Sequence, residues 1–290
     1  MNEARKLVDL LRSKQATNKS LGQHFLISDA MIALPIDHAK VHSDDHVLEI
    51  GPGPGVLTQQ LLKTGCKVTA IEIDEGIYNH LMGLFKSEID SGLLTLIHGD
   101  VLAHTWPKDV SKIVANIPYQ ISSPLIDKMT KHTRNTNTDN LECAVLLVQE
   151  EFGERMVMEY ESDVGPLGMN LLLDWQCELK EKVAPHNFSP SPKVNSRFVE
   201  MIPSDELFPC DKRLVAMVIS KAFNQRRKKL RTSLKSPPKR VNRISGWHSS
   251  RWKDALAGLS HDSRLDARPE EFDFDDWIEF CTDLEKFGNK

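Results

Sequence analysis

The stretch His46-Val47-Leu48-Glu49-Ile50-Gly51-Pro52-Gly53-Pro54-Gly55-Val56-Leu57-Thr58-Gln59-Gln60-Leu61-Leu62 decides the fold. A short apolar run stops at alternating glycines, and the apolar residues that follow recur at helical spacing, which reads as strand, glycine turn, helix. Glycines at such a turn let backbone pass close to a bound ligand where any side chain would block it.

Outward from this unit the same alternation repeats. Lys67 to Asp74 is an apolar strand ending in acids, followed by a helical stretch through Tyr78, Leu81 and Leu84. Leu93 to Ile97 leads into His98-Gly99-Asp100, and Lys112 to Ala115 into Asn116-Ile117-Pro118-Tyr119. A helix is predicted around Pro124 to Lys131, a further strand over Leu141 to Val148 and a charged helix over Glu150 to Met158. Strands separated by helices predict a mostly parallel, Rossmann-like α/β sheet with ligands at the carboxyl ends of its strands. Trp175 to Val183 and Arg197 to Ile202 read as late strands at an antiparallel edge. After Ile202-Pro203 the pattern changes: Leu214 to Lys235 reads as helix, Ser236-Pro-Pro238 breaks it, and short helices follow. The expected division is therefore residues 1–203 as one domain and 204–290 as a smaller helical one.

The 290 residues, 40% hydrophobic and 27% charged, have the composition of an ordinary globular protein. The five cysteines (66, 143, 177, 210, 281) form no Cys-x-x-Cys pair and no cluster with histidine at metal-ligand spacing, so a reduced, cytoplasmic setting without a metal site is expected. No apolar run approaches the ~18 residues of a membrane span. The stretch around Leu7, Leu10 and Leu11 carries Glu3 and Asp9, unlike a transit peptide. The net charge of −4 hides an uneven distribution. From Lys221 to Arg243 there are many cations and no acid, with Arg226, Arg227, Lys228, Lys229 and Arg231 at the centre, whereas Asp266 to Glu285 is mostly acidic. So dense a basic block either solvates a helix or binds phosphate.

The strand ends carry the chemistry. Glycine turns serve dinucleotides and S-adenosylmethionine alike, but a dinucleotide fingerprint wants its third glycine where Val56 stands. Glu72 can accept hydrogen bonds from ribose hydroxyls, and Asp100 from the amino group of an adenine moiety. Asn116-Ile117-Pro118-Tyr119 supplies what an exocyclic base amine needs. Its lone pair is delocalised into the ring, and two carbonyl oxygens, that of the Asn116 side chain and that of a neighbouring main-chain group such as Ile117, can localise it by accepting both hydrogens. Pro118 stiffens the turn, and Tyr119 offers a flat face to an unstacked base.

These motifs together resemble the ribosomal RNA adenine N6,N6-dimethyltransferases that act on the small subunit. The resemblance covers nearly the whole chain, through Leu21-Gly-Gln23-His24-Phe25-Leu26, Leu48 to Gly53, Ile71 to Asp74, Gly99-Asp100, Asn116 to Pro124, Gln149 to Met156, Phe188-Ser-Pro-Ser-Pro-Lys193-Val and Phe223 to Arg231. It implies S-adenosyl-L-methionine held by His24, Leu26, Gly51, Glu72, Asp100 and Asn116, with Gly53 in the same turn. It implies Phe188 as a second aromatic closing over the target adenine opposite Tyr119. The substrate it implies is a pair of adjacent adenosines in the loop of the hairpin near the 3′ end of small-subunit rRNA, met by a monomeric enzyme on a pre-subunit particle. Arg226 to Arg231 would contact rRNA phosphates at the mouth of the cleft. Pro35, inside the first expected helix of the fold, has no functional account. Rival readings are a large-subunit adenine methyltransferase of the macrolide-resistance type, a DNA adenine methyltransferase, a mainly non-catalytic ribosome-assembly factor and a nicotinamide-dependent oxidoreductase.

Overall fold

The computed structural model describes residues 3–14, 24–135 and 141–287. Leu21, Gly22 and Gln23 of the first quoted motif lie outside them. The chain forms two compact units. The first comprises residues 1–153 and 177–203, the second 154–176 and 204–290.

The first unit is built on β2 (His46–Ile50), β3 (Lys67–Glu72), β4 (Leu94–His98), β5 (Lys112–Asn116), β6 (Cys143–Gln149), β7 (Trp175–Val183) and β9 (Ser196–Pro203). They lie in the order β4-β3-β2-β5-β6-β9-β7. The pairs β2–β3, β2–β5, β3–β4 and β5–β6 are parallel, and β6–β9 is antiparallel. This is the Rossmann-like sheet with an antiparallel edge that the sequence predicts. Its central strands are buried on both faces, which is why they read as unbroken apolar runs. All five residues of β2 are buried, Glu49 among them. Helices α3 (Val56–Lys63), α4 (Glu75–Leu84) and α6 (Ser122–Thr133) follow the β2, β3 and β5 strands. Asp74 caps α4, its side chain accepting from the Gly76 and Ile77 amides. Pro35 sits inside α2 (Asp29–His38) and is buried.

Two short strands were not legible in the sequence. β1 (Phe25–Leu26) pairs antiparallel with β8 (Phe188–Ser189), Leu26 opposite Phe188, and so joins two motifs far apart in the chain.

In the second unit, the residues ahead of β7, from 154 on, cluster with the C-terminal residues, where the sequence suggests a single cut near residue 204. The physical reason is burial: Met169 and Leu173 pack in one apolar cluster with Leu214, Val218, Trp252 and Trp277. The continuous helix expected from Leu214 to Lys235 is also corrected. It is α9 (Lys212–Phe223), an irregular basic segment, then α10 (Leu230–Ser233). The Leu230 amide leaves the helical ladder and donates instead to the Ala267 carbonyl at 2.9 Å. Among the described residues no helix is long and apolar enough to cross a membrane.

Candidate active site

The carboxyl ends of the parallel strands open onto a cavity of about 260 Å³ in the first unit. It gathers residues that the sequence placed at separate strand ends: Gly51 and Gly53 after β2, Glu72 ending β3, Asp100 after β4, and Asn116 to Tyr119 after β5. His24 and Leu26 line it from the β1 side, and the Pro35 ring forms part of its wall.

The glycine turn is left-handed at all three glycines, with φ of +66° at Gly51, +54° at Gly53 and +82° at Gly55. A Cβ at Gly53 would meet the Phe25 ring at 3.0 Å, and one at Gly51 would come within 3.8 Å of the Pro118 ring. The turn is crowded at Gly53 beneath β1 and in ordinary contact with Pro118 at Gly51, and its left-handed backbone favours glycine at each position. The Gly53 amide donates to Glu72 Oε2 at 3.2 Å, and the Asp74 amide to Glu72 Oε1 at 2.9 Å. Both oxygens of Glu72 are therefore oriented, and each keeps a lone pair for a further donor. Burial pushes the Glu72 carboxyl up, opposed by these backbone donors.

Glu49 is a functional candidate that sequence reasoning missed. It lines the cavity at 1% exposure, and its Oε2 has no hydrogen-bond partner among the described residues. Burial, reinforced by the Glu72 charge, pushes its carboxyl up to about 8. The signal was present: an acid in the middle of an otherwise apolar central strand.

Asp100 is exposed, and its Oδ1 accepts from the Leu102 amide at 2.8 Å. Asn116 donates from Nδ2 to the His24 main-chain carbonyl at 3.4 Å, which leaves Oδ1 as the acceptor end of the amide. Ile117 is buried at 1% exposure. The Tyr119 hydroxyl bonds the buried Ser196 hydroxyl on β9 at 2.8 Å, fixing the ring at its far end. Burial raises the Tyr119 pKa.

The ring that lies against Tyr119 is His24, with centroids 6.1 Å apart and planes inclined by 25°. His24 Nδ1 donates to the Pro190 carbonyl at 2.8 Å, tying it to the Phe188-Ser-Pro loop. Phe188 itself is 3% exposed, packs in the apolar core and is absent from the cavity lining. The structure packs the Phe188 ring in the core, opposite Leu26 in the β1–β8 ribbon, and not in the cavity lining beside Tyr119.

The basic residues lie in the second unit and are exposed. Arg226 pairs with Glu270 at 2.7 Å, and Asp266 is shared by Lys229 at 3.1 Å and Arg231 at 2.5 Å. The acidic segment folds back onto the basic one. Arg227 and Lys228 make no ion pair among the described residues.

Comparison with known proteins agrees with this arrangement. The family model for ribosomal RNA adenine dimethylase matches residues 14–248. A ribosomal RNA small subunit methyltransferase A from Bradyrhizobium diazoefficiens is 38% identical over 254 residues, 83% of this chain and 87% of the relative. Among solved structures, a dimethyladenosine transferase from Plasmodium falciparum superposes with a TM-score of 0.75 at 29% identity, over 91% of this chain and 98% of that one. The 23S rRNA methyltransferase ErmE gives 0.62 at 25% identity, over 89% and 99%. With the family model spanning the sheet, the cavity and the basic segment, the chain belongs to the ribosomal RNA adenine dimethylase family.

Proposed function

We propose that the protein transfers methyl groups from S-adenosyl-L-methionine to the N6 amines of two adjacent adenosines in the loop of the 3′-terminal hairpin of small-subunit rRNA. It would act in the cytoplasm, as a monomer, on a pre-subunit particle. The observation that carries the reading is that one cavity holds both the glycine turn with its acids and the Asn116 to Tyr119 turn.

The residues present fit the cofactor. A buried carboxyl with an unpartnered oxygen, Glu49, suits a polar or cationic ligand, Glu72 offers lone pairs to ribose hydroxyls, and the left-handed glycines admit close approach of a ligand. His24, Leu26, Gly51, Gly53, Glu72, Asp100 and Asn116 would hold it. Gly53 contributes by orienting Glu72 through its amide. Bound there, S-adenosylmethionine supplies an electrophilic methyl group.

Asn116 Oδ1 and the Ile117 carbonyl accept the two amine hydrogens of the target adenine and localise its lone pair. The Tyr119 face, anchored through Ser196, supports the unstacked base, a contact worth roughly 1–3 kcal/mol. Positioning supplies most of the rate, and no strong base is required because the nitrogen becomes acidic as it is alkylated. Bases in a single-stranded loop are cheap to splay out, which suits such a site. Arg226, Arg227, Lys228, Lys229 and Arg231 bind rRNA phosphates in this reading. Phe188, paired with Leu26 in the β1–β8 ribbon, packs in the core beneath the cavity wall in this reading.

The test is incubation of the protein and methyl-labelled donor with undermethylated small and large subunits separately. Label in the small subunit is expected, at adjacent adenines by mass spectrometry. Label confined to the large subunit would favour the second reading, a macrolide-resistance type of activity, which the likeness to ErmE keeps in view.

A further inference from the structure

The helix that follows Asn-Ile-Pro-Tyr reaches across to the loop that carries Asp100 through a single side chain. Lys128, one and a half turns into α6, donates from Nζ to the main-chain carbonyls of Val101 at 2.8 Å and Leu102 at 3.0 Å, and to that of His104. The ammonium also stands 5.0 Å from the centroid of the Trp106 ring, whose Nε1 donates to the same Val101 carbonyl at 3.1 Å. An ammonium has three N–H donors, and here all three directions are taken by backbone acceptors.

The chain of contacts leads into the cavity. Leu102 offers its carbonyl to Lys128 and its amide to Asp100 Oδ1, so one peptide segment is held between the cation and the carboxylate. The Ala103 and His104 amides close the turn on the Asp100 carbonyl, at 3.0 and 2.8 Å. Gly99, Asp100 and Val101 line the cavity, while Lys128 does not. A surface lysine would lose side-chain entropy and gain little from one exposed carboxylate. Three carbonyls and an aromatic face make this one a fixed strut.

We propose that Lys128 is a positioning residue: by clamping the 101–104 backbone to α6 it fixes the Asp100 carboxylate for the methyl donor, and it sets donor affinity rather than the chemistry at the amine. The inference rests on the reading of the cavity as the S-adenosylmethionine site. Failure of the native protein to bind that donor would overturn the reading itself, whereas the inference stands or falls on variants of a protein that binds.

The test measures the Kd for S-adenosylmethionine by calorimetry, and kcat and the KM for RNA at saturating donor. The variants are Lys128→Met, Lys128→Arg, Asp100→Asn and the Lys128→Met/Asp100→Asn double. Lys128→Met is expected to raise the donor Kd by about tenfold to a hundredfold, with kcat and the RNA KM changed little. Lys128→Arg keeps the charge, but its planar fork cannot converge on three carbonyls, so it should resemble Lys128→Met. The double variant should lose little beyond Asp100→Asn alone, because the lysine acts through that carboxylate. Native donor affinity in Lys128→Met, full rescue by Lys128→Arg, or additive losses in the double variant would each overturn the proposal. Lys128→Gln, which retains donors for two of the carbonyls, is run in parallel. It is expected to show an intermediate loss and carries the comparison if Lys128→Met does not fold.

Discussion

At the scale of single residues, the proposed mechanism separates groups that act on the acceptor from groups that set the ground state of the cavity. Asn116 belongs to the first kind. Asn116→Ala is expected to lower kcat on the order of a hundredfold or more while leaving RNA affinity nearly unchanged, read by methyl incorporation alongside a binding titration. Glu49 belongs to the second kind. Its folded-state pKa is raised from 4.5 to about 8, so the native state holds a proton that the unfolded chain releases. That contribution to stability is full below about 4.5 and is lost as pH rises toward 8. Glu49→Gln removes the dependence. Calorimetric Tm values should therefore show the variant gaining on the native protein from pH 5 to pH 8; a constant difference would refute the assignment. The glycines, Glu72, Asp100 and Asn116 were legible because each ends an apolar run. Lys128 was not, because its partners are backbone carbonyls, which leave no mark on the sequence, and a lysine among the polar residues of a helix reads as solvated.

At the scale of elements, the glycine turn is the most tightly specified piece. A Cβ at Gly55 would lie 2.6 Å from the Phe85 ring and 2.9 Å from Leu81, at a φ of +82°. Gly55→Ala should cost about 1–3 kcal/mol from crowding and strain together, measured as a shift in the urea midpoint with an unchanged slope. The long parallel strands and their order of appearance were readable from apolar runs punctuated by glycine, proline and acids. The β1–β8 ribbon was not. Two residues a side show no periodicity, and the pairing of Leu26 with Phe188 is a non-local event. The single helix expected over 214–235 fails where six polar residues, 224–229, interrupt the apolar spacing; the backbone turns there and the Leu230 amide takes the distant Ala267 carbonyl as its acceptor.

At the scale of the whole molecule, the net charge of −4 says little about a polyanionic partner, since the basic residues are concentrated in one segment. Arg227 and Lys228 should contribute most directly to phosphate binding. If each neutralises one phosphate, the Arg227→Ala/Lys228→Ala variant should reduce the log–log salt slope of RNA binding by roughly 1.4–1.8. Arg231→Ala should have a smaller effect, because its guanidinium is already paired with Asp266, and Asp266→Asn should tighten binding. Solvent screens exposed pairs of this kind, which leaves them weak enough for a phosphate to displace. The division at 203/204 was visible as a change of pattern, whereas the transfer of 154–176 to the second unit was not, since it depends on which apolar cluster Met169 and Leu173 join. One feature of the sheet bears on how the chain is made. Strand β9 lies between β6 and β7 yet is last in sequence. During synthesis β7 emerges before the strand that links it to the sheet, the β6 edge stays open, and Tyr119 lacks its Ser196 anchor. On ribosomes stalled at successive lengths, the cavity should mature only once residue 203 has cleared the exit tunnel, because β9 supplies both Phe198 of its lining and the Ser196 anchor of Tyr119.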